Sequence, residues 1–235
     1  MSNYTIQGFE NSVFIVGKEK RAIEDHFTPD SAYLSMLLKN GKSGPSEDLQ
    51  AFYEMVEEST LAWINQPELR GFGDAVLKAK PFIGGDSYIV SENSRHLVRL
   101  TEVSDAVKAD ATFLVQQVQD PPRYGVVEGT REGAGVVRVT RVVEKPMQPA
   151  SKLAIMPVYA FHPVILKALE VTQSGVGGEI QLTDDIQKMV EWGLEIRAVE
   201  LEENDVRLDI GSPELYWESQ SLSYRHSVER KRKDD

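Results

Sequence analysis

Apolar and polar positions change their period along the chain, and this pattern predicts helices that alternate with strands. Runs rich in β-branched and aromatic residues predict strands near 12–16, 61–65, 87–91, 112–118, 138–144, 153–161 and 195–201. Apolar residues spaced three or four apart predict helices near 18–27, 31–38, 46–58, 71–80 and 95–107, and further helices beginning near 163, 183 and 213. Short connections between alternating elements indicate an α/β fold with a mainly parallel sheet.

One alternating strand ends in a chemically notable way. The run from Arg138 to Val143 stops at Glu144-Lys145-Pro146, because proline has no N–H to donate to the strand ladder. A carboxylate and an ammonium group therefore stand side by side at a strand end, where ligand clefts are common. The carboxylate can accept hydrogen bonds from sugar hydroxyls, and the lysine can neutralise a phosphate. For the tripeptide alone, an edge strand with two solvated charges is the alternative interpretation.

A second candidate site follows the strand at 61–65. Gln66 ends this strand, and Gly71-Phe72-Gly73 opens the next helix. A strand followed by glycines and a helix N-terminus suits a nucleobase or a phosphate, because free backbone N–H groups point outward there. An ordinary strand–turn–helix connection explains the same spacing equally well.

Composition narrows the class of protein. The 235 residues carry 37 acidic and 26 basic side chains, a formal net charge of −11, which argues against a generic nucleic-acid-binding surface. No cysteine is present, so disulfides and thiolate metal sites are excluded. No apolar run approaches a membrane span and no signal peptide is expected, so we expect no membrane association and a cytoplasmic protein. One domain over 1–225 with a polar tail over 226–235 fits this length.

Several motifs occur in an order that carries a family resemblance. Besides the strand end and the Gln66 segment, the sequence shows Val16–Phe27, Arg123–Glu128, Leu153–Ile155, Tyr159–Pro163, Gly177–Ile186 and Leu208–Pro213. Together these motifs resemble sugar-1-phosphate nucleotidylyltransferases, most nearly the bacterial-type UTP–glucose-1-phosphate uridylyltransferases. The resemblance extends from about Gly8 to about Ser219. It implies a doubly wound, Rossmann-like sheet of the nucleotide-diphospho-sugar transferase type.

The resemblance also implies a role for each matching position. Gln66 and Gly71 correspond to residues that contact the pyrimidine base, and Lys145 to the residue that binds phosphate during catalysis. Gly125, Glu144 and Glu179 correspond to the sugar pocket. Asp209 corresponds to one of two aspartates that hold the Mg²⁺ cofactor. The implied ligands are a nucleotide or nucleotide-sugar such as UDP-glucose, and glucose-1-phosphate.

Three departures from the family pattern shape the functional expectation. The sequence begins near the end of the family's first helix, so we expect its first strand and Gly-rich triphosphate loop to be missing and the sheet to be interrupted. Counted without gaps, Asn93, Ser94 and Arg95 stand where the second Mg²⁺ aspartate is expected, and Glu92 supplies a carboxylate there only if the register shifts. Pro157 replaces a glycine that approaches the sugar. These departures predict weak turnover or none.

Three functional hypotheses follow. The chain is a degenerate, non-catalytic member that retains part of a nucleotide-sugar pocket, as a homo-oligomer or as a partner of an intact homologue. Alternatively, it is an active uridylyltransferase with a rearranged or partner-supplied site. A third hypothesis is a structural or regulatory subunit that binds no nucleotide.

Overall fold

A computed structural model describes residues 11–18, 20–85, 88–91, 97–173, 175, 178–201 and 212–234. The strands are β1 (Asn11–Val16), β2 (Thr60–Asn65), β3 (Tyr88–Ser91), β4 (Ala111–Gln117), β5 (Gly125–Gly133), β6 (Val136–Glu144), β7 (Leu153–Phe161) and β8 (Ile196–Glu200). The helices are α1 (Arg21–His26), α2 (Ser31–Lys39), α3 (Ser43–Glu57), α4 (Phe72–Lys78), α5 (Leu97–Val107), α6 (Ile165–Val171), α7 (Leu182–Glu191) and α8 (Pro213–Asp234). Short 3-10 turns lie at Lys80–Phe82 and Pro121–Arg123.

The described strands form two sheets. β1 and β2 pair in parallel as a two-stranded sheet, and the other six strands follow the order β3-β7-β4-β8-β6-β5.

The larger sheet carries most of the core. Side chains from β4, β6, β7 and β8 pack against α6 and α7, and Phe113, Phe161, Ile165 and Ile186 are fully buried there. No side chain of β1 or β2 is buried, and this pair is instead packed by aromatic rings, with Phe14 stacked on Trp63 at 4.4 Å. Burial of apolar area therefore stabilises the larger sheet more than the smaller one.

The predicted α/β class is confirmed by the alternation of helices and strands along the chain. Strand direction in the larger sheet is mixed rather than mainly parallel. β4 pairs with β8 in parallel, whereas the hairpin β5–β6 and the strand β7 add antiparallel neighbours. Pro157 lies where the β4–β7 register shifts, between the pairs Phe113–Tyr159 and Val115–Ile155. A bulge of this kind accommodates a residue without an N–H.

One predicted helix start is wrong. The acidic cluster after Ser46 predicted a start there, but α3 begins at Ser43. The hydroxyl of Ser46 donates back to the carbonyl oxygen of Ser43 at 2.7 Å, and Pro45 falls in the first turn, where its missing N–H has no partner to lose.

The chain divides into two units, Met1–Glu200 and Leu201–Asp235. Every predicted site residue except Asp209 belongs to the first unit. The second contains α8, which runs through most of the predicted polar tail. The predicted domain boundary at 225 remains a prediction. In the described part of the chain, no helix is long and apolar enough to cross a membrane.

Candidate functional site

The end of β6 presents the predicted carboxylate and ammonium groups. Glu144 pairs with Gly125 across the β5–β6 ladder, and the backbone N–H of Lys145 donates to the carbonyl oxygen of Tyr124 at 3.0 Å. The Nζ atom of Lys145 lies 3.6 Å from Oε1 of Glu144. Lys145 has a φ of +41°, a left-handed conformation that is uncommon for a residue with a side chain. Strained backbone of this kind clusters at ligand sites, which supports a binding role for the strand end.

Gly125 brings β5 close to the start of α7. A Cβ atom at this position would lie 2.7 Å from Oγ1 of Thr183 and 3.1 Å from Oε2 of Glu144. The glycine therefore lets three elements converge on the carboxylate of Glu144.

We expect Gly125→Ala to displace Thr183 or Glu144 and to weaken ligand binding at this strand end about 10-fold or more, because overpacking costs about 1–3 kcal/mol. Calorimetric titration with UDP-glucose measures the effect. Gly84→Ala is the control, because a Cβ at Gly84 meets nothing within 4 Å. Equal affinity of both variants would contradict the assigned convergence.

A cavity of 470 Å³ lies between the end of β6 and one face of α7. This volume falls in the range of small-molecule sites. The cavity is lined by Arg141, Val142, Val143, Glu144, Gly175, Gln181, Asp184, Gln187 and Glu191. Three carboxylates and two amides line it against one arginine, so it offers many acceptors for hydroxyl groups.

The polar face of α7 is fixed against β6. The backbone N–H of Val142 donates to Oε1 of Gln187 at 2.8 Å, and Nε2 of Gln187 donates to Glu191 at 3.3 Å. Burial raises the pKa of the Asp184 carboxyl, and the charge of Glu144 raises it further. Asp184 and Glu144 both line the cavity, so both carboxylates can face one ligand.

The start of α4 presents the other predicted pair, Gln66 and Gly71. Gln66 is buried, and its Nε2 donates to Oδ2 of Asp74 at 2.8 Å and to the carbonyl oxygen of Gly71 at 3.4 Å. Gly71 has φ of +96° and ψ of 172°, a conformation that is almost restricted to glycine. The turn thus depends on Gly71 and is held by the side chain of Gln66.

The segment before α7 connects the two parts of the site. Gly73 N–H donates to the carbonyl oxygen of Ile180 at 3.0 Å, and Ile180 N–H donates to the carbonyl oxygen of Arg70 at 2.8 Å. A Cβ at Gly71 would lie 3.0 Å from the Cβ of Glu179. Nε2 of Gln181 donates to Oε2 of the exposed Glu179 at 3.0 Å. Glu179 therefore lies beside the predicted base-binding turn rather than in the cavity lining.

The structure thus brings together six of the seven predicted site residues in two neighbouring groups. Gln66, Gly71 and Glu179 form the first group, and Gly125, Glu144 and Lys145 form the second. Asp209, the predicted Mg²⁺ ligand, lies outside the described residues. Within the described ranges, no three His, Asp or Glu side chains come together to hold a metal ion. The Mg²⁺ prediction therefore remains a prediction, and no chemical step is derived through a metal.

Sequence reasoning missed three polar residues that complete this arrangement. Asp74 holds Gln66, while Asp184 and Gln187 line the cavity. The spacing of Asp184, Gln187 and Glu191 on α7 is a polar stripe at helical period, and this pattern could have identified the cavity face.

Comparison with known proteins agrees with the fold and identifies the family. A family model described as nucleotidyl transferase matches residues 2–225. The chain therefore belongs to the nucleotidyl transferase family. It is 35% identical over 193 residues to a UTP–glucose-1-phosphate uridylyltransferase of Staphylococcus epidermidis, covering 77% of this chain and 66% of that protein's length. It is 30% identical over 235 residues to a protein of the same description from Pseudomonas aeruginosa, covering 93% and 81% of the two chains.

Solved structures show the same fold. The structure of a UDP-glucose pyrophosphorylase complexed with UDP-glucose aligns with a TM-score of 0.80 at 24% identity, over 94% of this chain and 83% of that chain. A UTP-bound enzyme of Acinetobacter baumannii aligns with a TM-score of 0.76 at 25% identity, over 93% and 78%. The predicted resemblance to sugar-1-phosphate nucleotidyltransferases is confirmed.

Proposed function

We propose that this chain binds a uridine-diphosphate hexose such as UDP-glucose across the two groups of site residues, from the Gln66 turn to the strand end at Lys145, and that it turns the nucleotide-sugar over weakly or not at all. The observation that carries the proposal is the convergence of Gly125, Glu144 and Thr183 beside the strained Lys145. The proposal also includes an Mg²⁺ cofactor and binding of glucose-1-phosphate, and these two parts rest on the family resemblance alone.

The proposed binding of the sugar rests on carboxylates that can accept hydrogen bonds from its hydroxyl groups. Glu144 and Asp184 are both partly buried, and neither has an arginine partner in the described part of the site. Partly buried carboxylates without an arginine partner accept strong hydrogen bonds from neutral hydroxyls, because charge-assisted hydrogen bonds are about twice as strong as neutral ones. An uncharged hexose, which offers several adjacent hydroxyl donors, fits this lining.

The proposed binding of the diphosphate rests on Lys145. Its side chain is 60% exposed, and its only described ion pair is the 3.6 Å contact with Glu144. A lysine held in this way can move its ammonium group to a diphosphate at little cost, because the exposed pair contributes at most about 1 kcal/mol.

The expectation of weak turnover rests on the sequence between β3 and α5. Asn93, Ser94 and Arg95 occupy the segment where the family resemblance implies a carboxylate, and neither a serine nor an arginine neutralises phosphate charge through Mg²⁺. Loss of one preorganised electrostatic contact commonly lowers a rate by about 10²–10³-fold.

The test is calorimetric titration of the full chain with UDP-glucose, with and without Mg²⁺, followed by an assay of UDP-glucose formation from UTP and glucose-1-phosphate. We expect binding without metal and little or no product. Rapid product formation would overturn the weak-turnover part. No binding under either condition would overturn the proposal as a whole and favour a structural role.

Glu144→Gln and Lys145→Ala are each expected to weaken UDP-glucose binding about 10-fold or more, since a hydrogen bond to a charged group contributes about 1.5–3 kcal/mol. The Lys145→Ala loss should shrink at high salt, because the lysine acts through charge. Glu102→Gln on α5 is the matched control, because Glu102 is exposed and is not among the residues that line the cavity. Unchanged affinity in both site variants would place the ligand elsewhere.

A further inference from the structure

The amide of Gln66 is held in one orientation by its neighbours. Its Nε2 donates both to Oδ2 of Asp74 and to the carbonyl oxygen of Gly71. Both partners are acceptors, so rotating the amide by 180° would place Oε1 against two other oxygens. Asp74 is only 4% exposed and lies in the first turn of α4, which fixes the position of its carboxylate.

In this orientation, Gln66 offers a ligand only its amide oxygen, Oε1. Among the described residues, no donor contacts Oε1 of Gln66, and the amide nitrogen is already engaged. Gln66 therefore meets a ligand as an acceptor only. A side-chain amide that could rotate would instead accept from one ligand and donate to another.

The chemistry of the bases makes this difference selective. Uracil carries a hydrogen on ring atom N3, whereas N3 of cytosine is an unprotonated acceptor. In the same position, uracil donates its N3–H to Oε1 of Gln66. Cytosine would instead place its unprotonated N3 against Oε1, so that two acceptors face each other. Cytosine could offer only its exocyclic amine, and only by shifting in the site. A site built to accept from an N–H rejects an analogue that lacks it, because its own buried oxygen is left unpaired.

We propose that Asp74 is a positioning residue that locks Gln66 as an acceptor and so makes the site selective for uracil over cytosine. This inference rests on the proposed function, in which Gln66 contacts the base. Asp74 acts through Gln66 and needs no contact with the ligand.

The test compares dissociation constants for UDP-glucose and CDP-glucose, which differ only in the base. We expect the unmodified chain to prefer UDP-glucose by about 10-fold or more. In Asp74→Asn the new amide can donate or accept, so Gln66 can adopt either orientation. The preference should then fall to about 3-fold or less, mainly through tighter binding of CDP-glucose.

A merely structural role for Asp74 would weaken both ligands alike and leave their ratio unchanged, and that outcome would overturn the inference. Asp105→Asn removes the same charge from an exposed helix position and should retain the full preference. If Asp74→Asn does not fold, the unmodified chain still decides, because equal binding of the two ligands excludes a locked acceptor. Binding without base preference contradicts this inference alone, whereas no binding of either ligand contradicts the proposed function.

Discussion

Replacing Asp185 with asparagine is expected to stabilise the chain above neutral pH and to remove much of its stability loss between about pH 4 and pH 7. Asp185 lies on the apolar face of α7, with 0% of its surface exposed. Neither carboxylate oxygen has a hydrogen-bond partner within the described residues. The nearby hydroxyl of Thr172 instead donates to the carbonyl oxygen of Ala168 at 2.9 Å.

The direction of this effect follows from the pKa of Asp185. Burial raises the pKa of the carboxyl from 3.8 to about 7, and the adjacent charge of Asp184 adds to the rise. The folded chain therefore keeps a proton that the unfolded chain releases above about pH 4. The contribution of Asp185 to stability is greatest below that pH and declines as the pH rises to about 7. At about 1.4 kcal/mol for each tenfold change in proton affinity, the loss is at most about 4 kcal/mol.

Urea unfolding of the parent chain and Asp185→Asn at pH 5 and pH 8 measures this difference. The variant should gain about 2–4 kcal/mol at pH 8 and much less at pH 5. Asp48→Asn, an exposed position on α3, is the control and should show no such pH-dependent gain. A gain of equal size at both pH values would mean that ionisation of Asp185 is not the cause.

Gly71→Ala is expected to destabilise the chain by about 2–6 kcal/mol and to abolish nucleotide-sugar binding. The conformation at Gly71 costs a residue with a side chain about 1–3 kcal/mol. A Cβ would also lie 2.7 Å from the backbone oxygen and 2.9 Å from the backbone nitrogen of Ile180, and overpacking adds about 1–3 kcal/mol. Thermal unfolding and titration with UDP-glucose measure the two effects.

Gly178→Ala separates the two causes. Gly178 also has a positive φ, +77°, but a Cβ there meets nothing within 4 Å. This variant should show only the conformational cost, about 1–2 kcal/mol. If the two variants lose the same stability, contact with Ile180 contributes nothing, and the close packing assigned to the turn is wrong.

Local sequence patterns were sufficient for the parts of the site that depend on backbone chemistry. Alternation followed by proline located Glu144 and Lys145 at a strand end, and the glycines located the turn at Gly71. These features are set by which residues can enter a ladder or adopt a positive φ, so they can be recognised in one segment at a time.

The parts that depend on packing between distant segments could not be recognised in this way. Asp184 and Asp185 are adjacent in sequence, yet one lines the cavity and the other is buried in the apolar face of α7. Their roles are set by the elements on each side of the helix, which the local pattern does not contain. The contact between Gln66 and Asp74 was missed for a related reason, because it depends on side-chain direction at a helix start.

The backbone hydrogen bonds that join Gly73 and Arg70 to Ile180 also bear on the order in which the site can form as the chain is synthesised. The turn that holds Gln66 emerges more than a hundred residues before the segment that supports it. Contacts so distant in sequence require the closure of a long loop, which slows their formation. The predicted base-binding turn therefore lacks its supporting segment until Ile180 has left the ribosome. A nascent chain that ends before Ile180 contains β2, Gln66, Gly71 and Gly73, but it cannot yet form the supported turn.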